Sequence, residues 1–521
     1  MLFTTRHGRL LVTLAVVVAG AAVAGAVFFM SGRAQEVKLT TATLVPGDAV
    51  LYIALNTNLS SSEWVSAFKL TTRLTGEEAE DELRDAIEGE GGVEWERDVA
   101  PFLGGNAAFF LLSVDIASTT GEGGIVVRCK DSRRCLEVVL REGPGFDRAE
   151  GGGTTYYVNE DRGLYVARLG DHLVAATSEA ALFAVIDVDG GRRPSLAANR
   201  DFQALRDELT RSFLTFGYVD LDAIASSAVA GTAVESAFRE AGLGNYVFRP
   251  MAYAMSAKGD SFQGQAASLI EPGVSNRMLQ PRESRYARMV PSATAFFVST
   301  TALGETWRES IGASRADVDT AIRENTEFRD LDDLLGALGG ELGIGDVEAI
   351  IELFWGETAL ALWFPEENAD EPSGLLLTEV RDPAGVMAVI DRVFADAPLT
   401  ESETVAGVVM RTRRGGPGPA VAVALKGNDL LIGTEDAVRV GLEGPRQTLA
   451  RAARFRDAAG ALPHSTGTFA YFDLHQLIRL GDGAVPGDLG RAERVLNGLM
   501  ITMVEERGLA RIGGALVIKE Q

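Results

Sequence analysis

A chain of 521 residues is too long for one ordinary domain. Its 46% hydrophobic and 23% charged residues exclude a disordered polypeptide. The formal net charge of −24 excludes nucleic-acid binding through phosphates, which needs clustered Lys and Arg.

In chain order, Arg6 and Arg9 come first, followed by an uncharged stretch from Leu10 to Met30. As a helix rising about 1.5 Å per residue, this stretch reaches about 31 Å, enough to cross the hydrocarbon core of a bilayer. Ala24-Gly25-Ala26 offers a small-residue cleavage point, yet Val27-Phe28-Phe29-Met30 continue the apolar run beyond it. A retained transmembrane signal-anchor over 10–30 is therefore preferred to a cleaved signal. The positive-inside rule makes residues 1–9 a cytoplasmic tail. The expected location is the cell membrane, single-pass, with the N-terminus cytoplasmic and the bulk extracytoplasmic. Residues 31–42 read as a polar stalk. Only six of the 49 basic residues are Lys, which points to a GC-rich bacterial genome and so to a bacterial cell envelope.

The first folded repeat is expected over 43–270. It opens with the strand-like run LVPGDAVLYIAL (44–55) and a helix carrying Trp64. The acidic run over 76–98 reads as a solvated helix face, with weak cation collection or a basic partner as the functional alternative. The stretch PFLGGNAAFFLL (101–112) introduces a strand, and GGIVVRCKDSRRCLEVVL passes from strand to helix with Asp131-Ser132 as the cap. Cys129 and Cys135, the only cysteines, are read as a disulfide outside the cytoplasm. A loop so short contributes about 2 kcal/mol by chain entropy. A metal site would need a nearby His or further Cys. Gly170-Asp171 and Gly259-Asp260 mark tight hairpins, and Thr177-Ser178-Glu179 marks a helix start.

A polar linker is read over 271–288 and a second repeat over 289–521. Here Trp307 sits on the early helix, Asp382-Pro383 starts a helix, and Gly427-Asn428 and Arg507-Gly508 mark hairpins. Thr434-Glu435-Asp436 starts a helix again, and Val380 and Val386 stand where the first repeat has its cysteines. The amphipathic, glycine-bearing stretch 328–364 ends on Trp355 and Trp363 and reads as core packing, with an apolar groove or a membrane-facing surface as alternatives.

Three segment pairs recur in order. MVPSATAFFVST (289–300) echoes the opening strand, GNDLLIGTEDAV (427–438) echoes GDHLVAATSEAA (170–181), and TFAYFDLHQL (468–477) echoes TFGYVDLDAI (215–224). The expected fold class is thus α+β: a tandem duplication of two similar lobes, each a mainly antiparallel sheet with packed helices, preceded by one N-terminal transmembrane helix.

No motif demands a chemistry. His7, His172, His464 and His475 are scattered, and His172 and His475 align with Asp429 and Asp222 of the opposite repeat. Ser66-Ala67-Phe68-Lys69 matches S-x-x-K without a K-T-G or S-D-N partner. Asp187-Val188-Asp189-Gly190 faintly resembles a calcium loop, but Ala198 occupies the place of the bidentate Glu. Asp220 and Asp473 read as helix caps. Tyr218 and Tyr471, with Phe216 and Phe469, read as strand residues packing one face. No catalytic, cofactor-binding or metal residue is assigned.

The run Pro46-Gly47-Asp48-Ala49-Val50 through Asn56, then Trp64, then Asp98-Val99-Ala100-Pro101-Phe102-Leu103-Gly104, resembles an uncharacterised bacterial family of exported or membrane-anchored proteins, a domain of unknown function. Its members open with a Pro-x-Asp-hydrophobic-Asn strand after a transmembrane segment. The resemblance implies an envelope location and an α+β fold, and brings no catalytic residues. The expected role is that of a membrane-anchored, non-catalytic envelope binding or scaffold protein without cofactors. Its expected partners are the cytoplasmic membrane, an apolar or peptide-like ligand between the lobes, and another envelope protein. The alternative is an extracytoplasmic hydrolase with an unrecognised active site, which requires Asp, Glu, Ser or His converging in one pocket.

Overall fold

The computed structural model describes residues 37–520 apart from 90–93, 116–119, 143–144, 228–248, 271–276, 307–314, 316–318, 321, 324–327, 343–352, 366–371, 395–397, 414–419 and 481–493. The expected membrane segment, Leu10 to Met30, lies outside the described residues, as does Trp307. Among the described residues, no helix is long and apolar enough to cross a membrane. The fold is α+β with extensive antiparallel sheet, divided into two compact units. Unit 1 takes the described residues before 236 and those over 249–269; unit 2 takes those from Ile270 onward.

Strand β1 (Leu51–Asn56) alternates between half-buried and buried positions, as a strand with one face on the core must. It pairs with β2 (Asn106–Asp115), and β2 pairs with β3 (Thr120–Arg128). Beyond β3 come four strands: β4 (Asp147–Gly151), β5 (Thr154–Asn159), β6 (Leu164–Leu169) and β7 (His172–Ala176). On the other side of β1 lie β8 (Thr215–Val219), β9 (Met251–Lys258) and β10 (Ser261–Leu269). The order across unit 1 is β4-β5-β6-β7-β3-β2-β1-β8-β9-β10, antiparallel throughout. Helices α1 (Ser62–Thr75) and α2 (Ala79–Gly89) follow β1, and α3 (Ser132–Glu142) and α4 (Glu179–Asp189) flank the centre. Ile125, Val126 and Val127 are all buried, so β3 is covered on both faces. After a 3-10 turn at Leu196–Ala198 come α5 (Arg200–Glu208) and, past β8, α6 (Leu221–Ser227).

Unit 2 is built from β11 (Thr294–Thr301), β12 (Glu357–Trp363), β13 (Ser373–Glu379), β14 (Glu401–Val405), β15 (Val408–Arg413), β16 (Val421–Lys426), β17 (Asp429–Thr434), β18 (Thr468–Asp473), β19 (Leu496–Glu506) and β20 (Leu509–Ile518). Its order, β14-β15-β16-β17-β13-β12-β11-β18-β19-β20, repeats that of unit 1 strand for strand. The helices α7 (Leu331–Leu342), α8 (Pro383–Val393), α9 (Glu435–Glu443), α10 (Ala453–Ala461) and α11 (Leu474–Leu480) complete it.

Matching side chains fill matching places. In unit 1, Tyr52, Phe202, Phe216 and Tyr218 meet ring to ring, and in unit 2 Phe297, Phe455, Phe469 and Tyr471 do the same. The hairpin glycines Gly170, Gly259, Gly427 and Gly508 all carry positive φ, the conformation that tight turns demand. Asp220 and Asp473 accept amide hydrogens from Ala223 and Gln476 and so cap the helices that follow. Ser178 caps α4 by accepting from the Ala181 amide, whereas Thr434 stands at the start of α9 with its hydroxyl buried and unpartnered. Cys129 and Cys135 form a disulfide. Val380 and Val386, the residues aligned with them, are buried at 2% and 1% exposure and fill the same place by packing alone.

Candidate functional site

The site begins with a segment that sequence reading assigned to a linker. Arg282 to Arg288 pack into unit 2: the Arg282 amide donates to the Thr466 carbonyl, and Tyr286 and Ala287 are buried in the core. An isolated bridge between Pro291 and Thr448 holds this segment beside the turn leading to α10. Between them opens a cleft of about 1070 Å³. Its floor is apolar, formed by the half-buried Phe455, Ala450 and Ala459 and backed by the buried Phe469 and Met500. Its wall carries four arginines, Arg282, Arg288, Arg446 and Arg451, against one carboxylate, Glu283. In a chain of net charge −24 this is a local inversion of sign.

The arginines are not equivalent. Arg282 is largely buried and lies 3.3 Å from Glu357, while donating 3.0 Å to Ser299. Burial pulls its pKa down, and the Glu357 carboxylate opposes that shift. Glu357 also accepts from the Ser284 and Ser299 hydroxyls and from the Arg285 amide. Arg285 in turn reaches Glu379 and Asp429, and its guanidinium sits 4.8 Å from the Tyr286 ring centroid. This network is the wall behind the cleft. Arg288 pairs loosely with Glu283 at 3.6 Å. Among the described residues, Arg446 and Arg451 have no ion-pair partner; both are exposed.

His464, Ser465 and Thr466 close one end. The set looks superficially like a hydrolase, yet its bonds are wrong for one. The Ser465 hydroxyl donates directly to Glu506, and Nδ1 of His464 faces the Ser465 carbonyl at 2.9 Å. A serine nucleophile needs its hydroxyl on the base, and here the base is turned to main chain. Nε2 of His464 and Nε of Arg282 are buried without partners at the cleft wall.

The other residues singled out by sequence do not converge. Lys69 is exposed and Ser66 half-buried on α1, so no desolvated lysine base exists there. His172 on β7 lies 3.4 Å from Thr40, and His475 is on α11; His7 lies outside the described residues. Asp187 pairs with Arg192. The acidic run includes the mostly exposed α2 and a π-helical turn, Trp95–Val99, where buried Asp98 is gripped by Arg97 and Arg141, whose hydrogen bonds hold its carboxyl well below the usual range. Among the described residues, no group of three or more potential ligands is placed to hold a metal ion. Arg282, Glu357, Arg446 and Arg451 escaped sequence reading. Carrying the alignment of the opening strands a few residues further back, so that Tyr286 meets Thr41, would have drawn 282–288 into the fold.

Fold and site together define an acidic α+β protein with a cationic, apolar-floored cleft. Residues 11–486 match the family described as "Protein of unknown function (DUF3352)", and the chain belongs to that family. No curated protein matches it. Solved structures of TP0453 are similar in part: crystal form III at 10% identity, covering 45% of this chain and 81% of that one with a TM-score of 0.25, and crystal form I at 10% identity, covering 46% and 83% with a TM-score of 0.26. Likeness at that level bears neither on fold nor on role.

Proposed function

We propose that this chain is a non-catalytic ligand-binding protein of the bacterial envelope, tethered through Leu10 to Met30 with both units outside the cytoplasm. The two units are tandem copies of one ancestral unit, a reading supported by their identical strand order and their matching aromatic clusters. The observation that carries the binding role is the unit 2 cleft. It has the volume of a ligand site and an apolar floor beside guanidinium donors, and its Ser465 hydroxyl is not on the His464 imidazole. The disulfide supports an oxidising compartment. Alkaline phosphatase fused after residue 42 is expected to be active in a bacterial host, since it folds only outside the cytoplasm; an inactive, stable fusion overturns the placement. Native mass spectrometry of the full chain from its own membranes is expected to show a stoichiometric small molecule. A protein that is bare in every preparation overturns the binding role.

A further inference from the structure

Within unit 1, two side chains occupy the place that the cleft takes in unit 2. Arg206 on α5, four residues after Phe202, lays its guanidinium over the rings of Phe213 and Phe216, at 5.7 and 5.6 Å. Arg193 pairs with Asp48, two residues after the Pro46 that bridges to Ser195. Unit 2 carries the same frame, with Phe455 on α10 and a bridge from Pro291 to Thr448, but neither of these two contacts. Four residues after Phe455 stands Ala459, which has no guanidinium to lay over the rings and leaves the half-buried Phe455 beside the cleft. Two residues after Pro291 stands Ala293, so Arg446, the counterpart of Arg193, has no carboxylate to meet.

Resting on the binding role above, we propose that the unit 2 cleft binds an amphiphilic anion: a phosphate or carboxylate group held by Arg446 and Arg451, with an apolar body lying on Phe455, Ala450 and Ala459. Guanidinium forks match the planar, divided charge of carboxylate and phosphate oxygens, and two unpaired ones on one wall can be satisfied by one such group. A bare inorganic anion leaves the apolar floor wet, and a neutral apolar ligand leaves both arginines unused. The cleft volume, about 1070 Å³, also far exceeds what a small ion fills.

The test is isothermal titration calorimetry on the full chain in nanodiscs of zwitterionic lipid. The probes are hexyl phosphate, inorganic phosphate and hexyltrimethylammonium. Hexyl phosphate is expected to bind saturably with one site, and both controls about tenfold or more weaker. Arg446→Glu/Arg451→Glu is expected to weaken hexyl phosphate by about tenfold to a hundredfold, the value of lost charge-assisted hydrogen bonds. Ala459→Arg, which copies the plug of unit 1, is expected to abolish it. Amide hydrogen exchange over β18 and β19 checks that each variant keeps its fold. Nanodiscs of acidic phospholipid distinguish the source of the anion: competition there assigns it to a lipid, undiminished binding to a free metabolite, and both retain the shared chemistry. Equal binding of inorganic phosphate overturns the amphiphile, and equal binding of the cation overturns the anion. No binding of any probe overturns the ligand class, while a neutral molecule found by native mass spectrometry would leave the binding role standing.

Discussion

Glu357 opens β12 at 8% exposure and is the anchor of the wall behind the cleft. Replacing it with Ala removes the acceptor for two hydroxyls and one amide, and strands Arg282, whose side chain is only 17% exposed. Breaking a buried pair from one side costs about 3–5 kcal/mol, because a charge stays behind without its counter-ion. The separate hydrogen bonds are not added to this, since they belong to one network. At about 1.4 kcal/mol per decade, the opening equilibrium of unit 2 should rise by roughly two to three and a half orders of magnitude. Amide hydrogen exchange by mass spectrometry, read on peptides covering β11, β12 and β18, measures that rise where it occurs. Unit 1 peptides are the internal control. The matching residue there, Asn106, accepts from Thr40 and donates to Thr41 as a neutral group, so the fold itself does not require a charge at this place. Arg282→Met added to Glu357→Leu should therefore recover most of the loss, the two apolar side chains replacing an ion pair that was costly to bury. A Glu357→Ala effect below tenfold, or a double variant no better than the single one, refutes the reasoning.

Three further outcomes are expected. A Cβ at Gly217 would come within 2.0 Å of the Tyr253 ring, so Gly217→Ala should cost about 1–3 kcal/mol in urea unfolding. Adding Tyr253→Ile should restore stability, since unit 2 carries Ala470 facing Ile501 in the same register; failure of that rescue would break the equivalence of the two sheets. Replacing Cys129 and Cys135 together by Val should cost no more than the loop constraint, about 2 kcal/mol, because Val380 and Val386 already fill the matching place in unit 2; a larger drop in thermal unfolding would show that packing there differs. Burial, aided by Arg128, holds the His172 pKa below its ordinary value of 6.5. The unfolded chain then takes up the proton first, so this contribution is complete above pH 6.5 and is lost as pH falls toward the folded value. His172→Gln should flatten that part of the stability profile, and an unchanged slope would assign it to other groups.

The strands, the hairpin turns, most of the helix caps and the disulfide were legible, because each rests on local chemistry. Glycine at a turn, Asp before a helix and alternation along a strand act within a few residues. The site was not legible because its parts are far apart in the chain and individually ordinary. Arg282 and Glu357 are 75 residues apart, and a lone Glu at a strand start reads as surface until the fold buries it. The segment 282–288 read as linker for its charges, yet two of them, Arg282 and Arg285, meet the buried Glu357. Thr434 shows the opposite failure: its hydroxyl has the right neighbours for a cap and makes no cap bond.

Stability does not account for Arg446 and Arg451. Exposed guanidiniums without partners contribute nothing to the fold, and a pair of like charges on one wall works slightly against it. Unit 1 shows the arrangement that stability favours on the same frame: Arg193 is answered by Asp48, and Arg206 is laid flat on two aromatic rings. Unit 2 forgoes both, keeping one arginine without its acid and an alanine where the plug would be. A chain so acidic overall has carboxylates in plenty to place beside Arg446 and Arg451. Leaving these two guanidiniums unanswered above an apolar floor costs a little stability, and a ligand whose charge is the missing carboxylate or phosphate supplies the counterpart.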